Sequence, residues 1–167
     1  MKILAFAFLV TAACGAAVPP DQAHTFQDER VHEAGQVRMT IPHGWQVDDS
    51  AGDTLAITAP DQSVDLEVTV IDGQDLAGAL VGVAAGMLIG YDNLALQGAP
   101  VSATINGMNA LFQDGTGTFH GAPVELSVGL VDTPAQKFLL VVGEASADAF
   151  EAHRHEIRQF MTDLRPL

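Results

Sequence analysis

The side chains able to do chemistry in this 167-residue sequence are six histidines, one cysteine and 21 carboxylates, set against only seven basic residues. A metal site needs three or four nitrogen, sulfur or oxygen ligands converging on one point. His24, His32 and His43 lie near the acidic N-terminal region, and His153 and His155 lie near the C-terminus. Two residues apart on a helix, the last two point about 200° away from each other and cannot hold one ion together. There is no His-Glu-x-x-His, no Cys-x-x-Cys, no Gly-x-Ser-x-Gly elbow and no glycine-rich phosphate loop opening a helix. The run from Asp114 to Thr118, Asp-Gly-Thr-Gly-Thr, resembles a phosphate loop only superficially. It falls in or beside a strand and reads as a loop or bulge. An enzymatic reading therefore rests on dispersed polar residues, His43, Asp65, Glu67, His120 and Glu125, and requires three or more of them to meet in one pocket. The preferred expectation is a non-catalytic domain with no cofactor and no metal.

Cys14 is the single cysteine, so it has no internal disulfide partner. It follows Met1-Lys2 and the apolar run Ile3–Val10, a charged start and short hydrophobic core typical of an export signal. That run is far below the roughly 20 residues needed to span a bilayer. Two processing routes fit. Val10-Thr-Ala-Ala-Cys14 resembles a bacterial lipobox, with Thr11 where Leu is usual and Ala13 in its typical place; Cys14 would then be lipidated and lead the mature chain. Cleavage after Ala17 would instead discard it. The expected organisation is a signal peptide over residues 1–13 (1–17 for ordinary secretion), a tether over 14–28 and one domain over 29–167. The expected location is the periplasmic face of the outer membrane, or the soluble periplasm or exterior if Cys14 is removed.

The formal net charge of −14 repels phosphate backbones and anionic headgroups, which argues against nucleic-acid binding. About 140 residues after the leader suit one domain with a sizeable core. The elements that must position any site begin with weak strand character at 30–34. Val37, Met39 and Ile41 then alternate with polar residues, as do Val64, Leu66, Val68 and Val70. Asn106-Gly107 and His120-Gly121 mark reversals. After them, Val124, Leu126, Val128 and Leu130 alternate with Glu125, Ser127 and Gly129, placing one face in a core and the other toward water. Phe138–Val142 is apolar throughout, as expected of a central strand.

Two helices follow from the pattern. Residues 75–91 carry no charge from Leu76 to Tyr91, and Gly78, Gly82, Gly86 and Gly90 recur every fourth position. The expectation is a core helix laid closely on the sheet through its glycines, with a membrane-contacting helix as the rival. Each glycine costs such a helix about 1 kcal/mol relative to Ala. The second helix runs from Ala147 to about Asp163 behind Ser146 as N-cap, with Phe150, His153, Ile157, Phe160 or Met161, and Leu164 on one side and Glu151 four residues before His155 as a pair.

The turn Pro42-His-Gly44-Trp45, the meander, the mid-chain helix, the hairpin on Asn106-Gly107 and the strand-then-helix ending from Phe138 to Leu164 together resemble the PsbP/Mog1-like superfamily. The similarity spans Val31 to Leu167. It implies an α+β fold, an antiparallel sheet flanked by helices in an α/β/α sandwich. Members of that superfamily include thylakoid-lumen proteins that assist photosystem II, a nuclear protein that binds a small GTPase and exported bacterial lipoproteins. The resemblance implies a binding or accessory role and carries no functional residue across. The partner is accordingly expected to be a protein or small ligand of the cell envelope.

Overall fold

A computed structural model describes residues 28–167. Cys14, the leader, His24 and the tether up to residue 27 lie outside the described residues. Asp28, assigned to the tether from sequence, is the first residue of β1 (Asp28–His32). A 3-10 turn over Glu33–Gly35 replaces the strand expected at 33–34. His32 explains it: this buried imidazole accepts at Nδ1 from the Gly35 amide at 3.2 Å and faces the Asp53 carbonyl through Nε2 at 2.9 Å.

The chain continues through β2 (Val37–Ile41), β3 (Gln46–Asp48), β4 (Thr54–Thr58), β5 (Val64–Ile71), α1 (Leu76–Met87), β6 (Asp92–Leu96), β7 (Val101–Ile105), β8 (Met108–Phe119), β9 (Ala122–Asp132), β10 (Phe138–Ala145), α2 (Ala147–Thr162) and β11 (Arg165–Pro166). Eight strands form one antiparallel sheet in the order β3-β4-β5-β10-β9-β8-β6, with β7 also on β8. A small second sheet, β1-β2-β11, ties the start of the domain to its end. β10 is central, as the apolar run Phe138–Val142 predicts: Val141 pairs with Val68 on one side and Gly129 on the other.

The turns obey local chemistry. Asn106 and Gly107 both take positive φ (47° and 88°), as do His120 and Gly121 (49° and 82°). Two successive positive φ values make the tight reversal whose twist matches that of the flanking strands. Asp75 caps α1 by accepting from the Gly78 amide at 2.7 Å, and Ser146 caps α2.

Side-chain alternation sends β10 to two cores. Leu139, Val141 and Ala145 join Ile157, Phe160 and Leu164 beneath α2, together with Val37, Met39 and Ile41 of the small sheet. Phe138 packs with Ala79, Leu80, Val128 and Leu130 beneath α1. Ser127 lies on the β9 face expected to meet water, yet it is only 5% exposed because α2 covers it. The Asp114–Thr118 run is neither loop nor bulge but the regular end of β8. The irregularity sits opposite, in β6, where the register shifts between Asp92 and Ala95. Gly115 is small for a packing reason: a Cβ there would sit 3.0 Å from Leu96 Cδ2.

The largest correction concerns α1. It ends at Met87, short of the expected 91, and its glycine stripe does not rest on the sheet. Ala79, Leu80, Val83 and Met87 make the contact instead. A Cβ added to Gly82 or Gly86 would meet nothing within 4 Å, and one at Gly78 would meet only the capping Asp75. Large side chains are needed to fill the space between helix and sheet, so the glycines rotate outward.

Candidate functional site

The five dispersed polar residues do not converge. His43 is exposed in the turn before β3, and His120 sits at the β8–β9 reversal with its ring 4.2 Å from that of Phe119. Asp65 and Glu67 project to the α1 side of the sheet, where Asp65 accepts from the Thr58 hydroxyl at 2.8 Å. Glu125 projects to the α2 side, 3.9 Å from Arg154. Among the described residues no group of three His, Cys, Asp or Glu is placed to hold a metal ion. His153 is half-buried, edge-on to Trp45 at 5.7 Å and 3.5 Å from Asp61. The expected Glu151–His155 pair does not form. Glu151 turns to Arg154 at 2.7 Å, since a guanidinium is permanently charged and presents several donors.

What the structure does build are two open steps, because each helix covers only part of its sheet face. α1 packs on β8 and β9. Beside it, on the same face, β3, β4 and β5 remain uncovered, and a groove of about 780 Å³ follows the helix. Ile71, Leu140, Val142 and Glu67 form its floor, and Gly78, Gly82, Gly86 and Gly90 line its helical wall. Tyr91 closes one end, its hydroxyl donating to Glu144. Burial, and then the Glu144 carboxylate, hold the Tyr91 phenol well above its ordinary pKa.

Carboxylates dominate the charge on this side. Register places Asp48, Ala56, Glu67 and Val142 in one row across the sheet, and Thr58, Asp65 and Glu144 in the next. None of the lysines and arginines among the described residues (Arg30, Arg38, Lys137, Arg154, Arg158, Arg165) lies on β3, β4, β5, β6 or α1. Val81 on α1 and Leu88 and Ile89 in the turn after it add exposed apolar surface, the last 91% exposed. No helix among the described residues is long and apolar enough to cross a membrane.

The second step lies on the opposite face, between the flank of α2, β8, β9 and the β6–β7 connection, and encloses about 550 Å³. Phe112, Met161 and Val101 give it apolar walls, and Asp114, Ser127 and Arg158 give it polar ones. No spacing in the sequence announces this pocket. Asp114, Ser127 and Arg158 come from three elements and meet only through pairing and helix docking. The stripe at 78–90 was legible in the sequence, but the direction it faces was not.

No protein-family model and no curated protein sequence matches the chain. Its likenesses are to solved structures. The solution structure of cyanobacterial PsbP (CyanoP) from Synechocystis sp. PCC 6803 superposes with a TM-score of 0.66 at 10% identity, covering 95% of this chain and 99% of that one. This is a PsbP/Mog1-type fold. A point variant of Mog1 gives a TM-score of 0.54 at 14% identity, covering 83% of this chain and 94% of that one. LpqN, described as involved in cell envelope biogenesis of Mycobacterium tuberculosis, gives 0.55 at 14% identity, covering 83% and 88%. At these identities the likeness establishes the PsbP/Mog1 type of architecture and no shared residue role.

Proposed function

We propose that this PsbP/Mog1-type chain is an exported, non-catalytic accessory domain of the bacterial cell envelope, tethered by lipid on Cys14, that presents its α1 side to a protein partner. The observation that carries the reading is the open groove beside α1. Apolar floor, backbone-thin glycine wall and predominantly acidic surroundings lie together there, on a sheet face that the fold leaves uncovered. A helix wall lacking side chains lets another segment approach closely. A surface dominated by negative charge steers and selects a basic partner. The involvement of LpqN in cell envelope biogenesis agrees with the export signal read from residues 1–13.

Two measurements test this. Cys14→Ser should move the protein from the membrane to the soluble fraction, since acyl chains supply the anchor; identical soluble fractionation of mutant and wild type refutes lipidation. A photo-crosslinking residue at exposed Val81, beside the groove, compared with one at exposed Ala152 on α2, should give a discrete protein adduct in the native envelope only from position 81. Equal labelling from both positions, or none from 81, refutes the docking side.

A further inference from the structure

We propose that the pocket between α2 and β8 is a second, independent site, which binds a free apolar α-amino acid in its zwitterionic form. Its volume of about 550 Å³ lies within the range of small-molecule sites. Phe112 and Met161 supply a ring face and a polarizable thioether, a wall suited to a large apolar or aromatic side chain. The polar wall is oriented from within the fold. Ser127, 5% exposed, donates to Asp114 Oδ1 at 2.8 Å and orients that half-exposed carboxylate, leaving Oδ2 toward Arg158.

The Arg158 Nη2 to Asp114 Oδ2 separation is 4.0 Å, and the Arg158 side chain is 64% exposed. That is too long for a hydrogen bond, and an exposed pair of this kind contributes little to stability, so a ligand displaces it at small cost. Arg154, the other cation on this flank, is already engaged by Glu151 and Glu125. The pocket therefore offers one fixed negative and one adjustable positive group side by side. A purely anionic amphiphile meets the Asp114 carboxylate and a purely cationic one meets the guanidinium. A zwitterion satisfies both, its ammonium donating to Asp114 and its carboxylate accepting from Arg158.

The test is calorimetric titration of the purified full-length protein with L-phenylalanine, L-phenylalaninamide, which lacks the carboxylate, and N-acetyl-L-phenylalanine, which lacks the ammonium. The expected result is that phenylalanine binds at least tenfold more tightly than either analogue. Arg158→Gln should remove its advantage over the amide, and Asp114→Asn, which can still accept from Ser127, should remove its advantage over the acetyl compound. Ala99→Trp, placed in the pocket lining, should abolish binding while leaving the far-ultraviolet circular dichroism unchanged. Equal affinity for all three compounds, indifference to Arg158→Gln, or no heat from phenylalanine at millimolar concentration with a folded protein each overturns the proposal.

Discussion

Replacing Gly82 and Gly86 of α1 with alanine should stabilise the protein, although both lie in a helix that packs on the sheet, Gly82 in its middle and Gly86 in its last turn. Glycine in a helix interior costs about 1 kcal/mol relative to alanine, because its unfolded backbone has more freedom to lose. A new Cβ at either position meets nothing within 4 Å, so no steric cost opposes that gain. The pair should add about 2 kcal/mol, which for a domain of this size raises the melting temperature by roughly 6 °C. Urea denaturation followed through Trp45, the only tryptophan, gives the free energy, and circular dichroism gives the melting point. Gly73→Ala is the contrasting control. Its Cβ would lie 2.6 Å from Cε2 and 2.9 Å from Cδ2 of the buried Phe138 ring, and overpacking of that kind costs about 1–3 kcal/mol. If the Gly82 and Gly86 substitutions lower stability by 1 kcal/mol or more, the stripe is covered in solution and the outward orientation of the glycines is wrong.

Gly82→Leu should keep the fold and fill the groove, so a crosslinker at Val81 should lose the partner adduct in that variant without any fall in melting temperature. Trp45→Ala should cost about 3–5 kcal/mol in urea denaturation, since the ring is nine-tenths buried and packs edge-on to His153. Asp75→Ala should lose about 1 kcal/mol by removing the α1 cap, measured the same way. Tyr91 is the only tyrosine, and its raised pKa means that the folded state keeps a proton that the unfolded state loses near pH 10. Its stabilising contribution is therefore complete below about pH 10 and declines above it. Absorbance at the phenolate band should stay low at pH 11 in the folded protein, and Glu144→Gln should bring ionisation to lower pH; phenolate formation near pH 10 in the wild type refutes the Tyr91–Glu144 pair.

The sequence by itself determined the elements whose causes are local. Alternation along 64–70 and 124–130 marks strands because side chains leave a pleated backbone on opposite faces. Asn106-Gly107 marks a hairpin because both residues tolerate positive φ, and Ser146 with Phe150, Ile157 and Phe160 marks a capped, one-sided helix. The central position of β10 was legible from the apolar run Phe138–Val142, although Leu140 and Val142 floor an open groove instead of lying under a helix. Only the tertiary structure decided what depends on distant chain meeting distant chain. The orientation of α1 could not be read because an uncharged helix has apolar residues on every side, and the choice fell to whichever side chains filled the space above Phe138 and Leu130. The burial of Ser127 depended on α2 crossing over β9. Tyr91 and Glu144 are 53 residues apart and meet because α1 packs on β8 and β9, which brings the residue after its end over the sheet face that carries Glu144. Both candidate sites arise in the same way, from where each helix stops covering its sheet face, a boundary set by packing and carried by no motif.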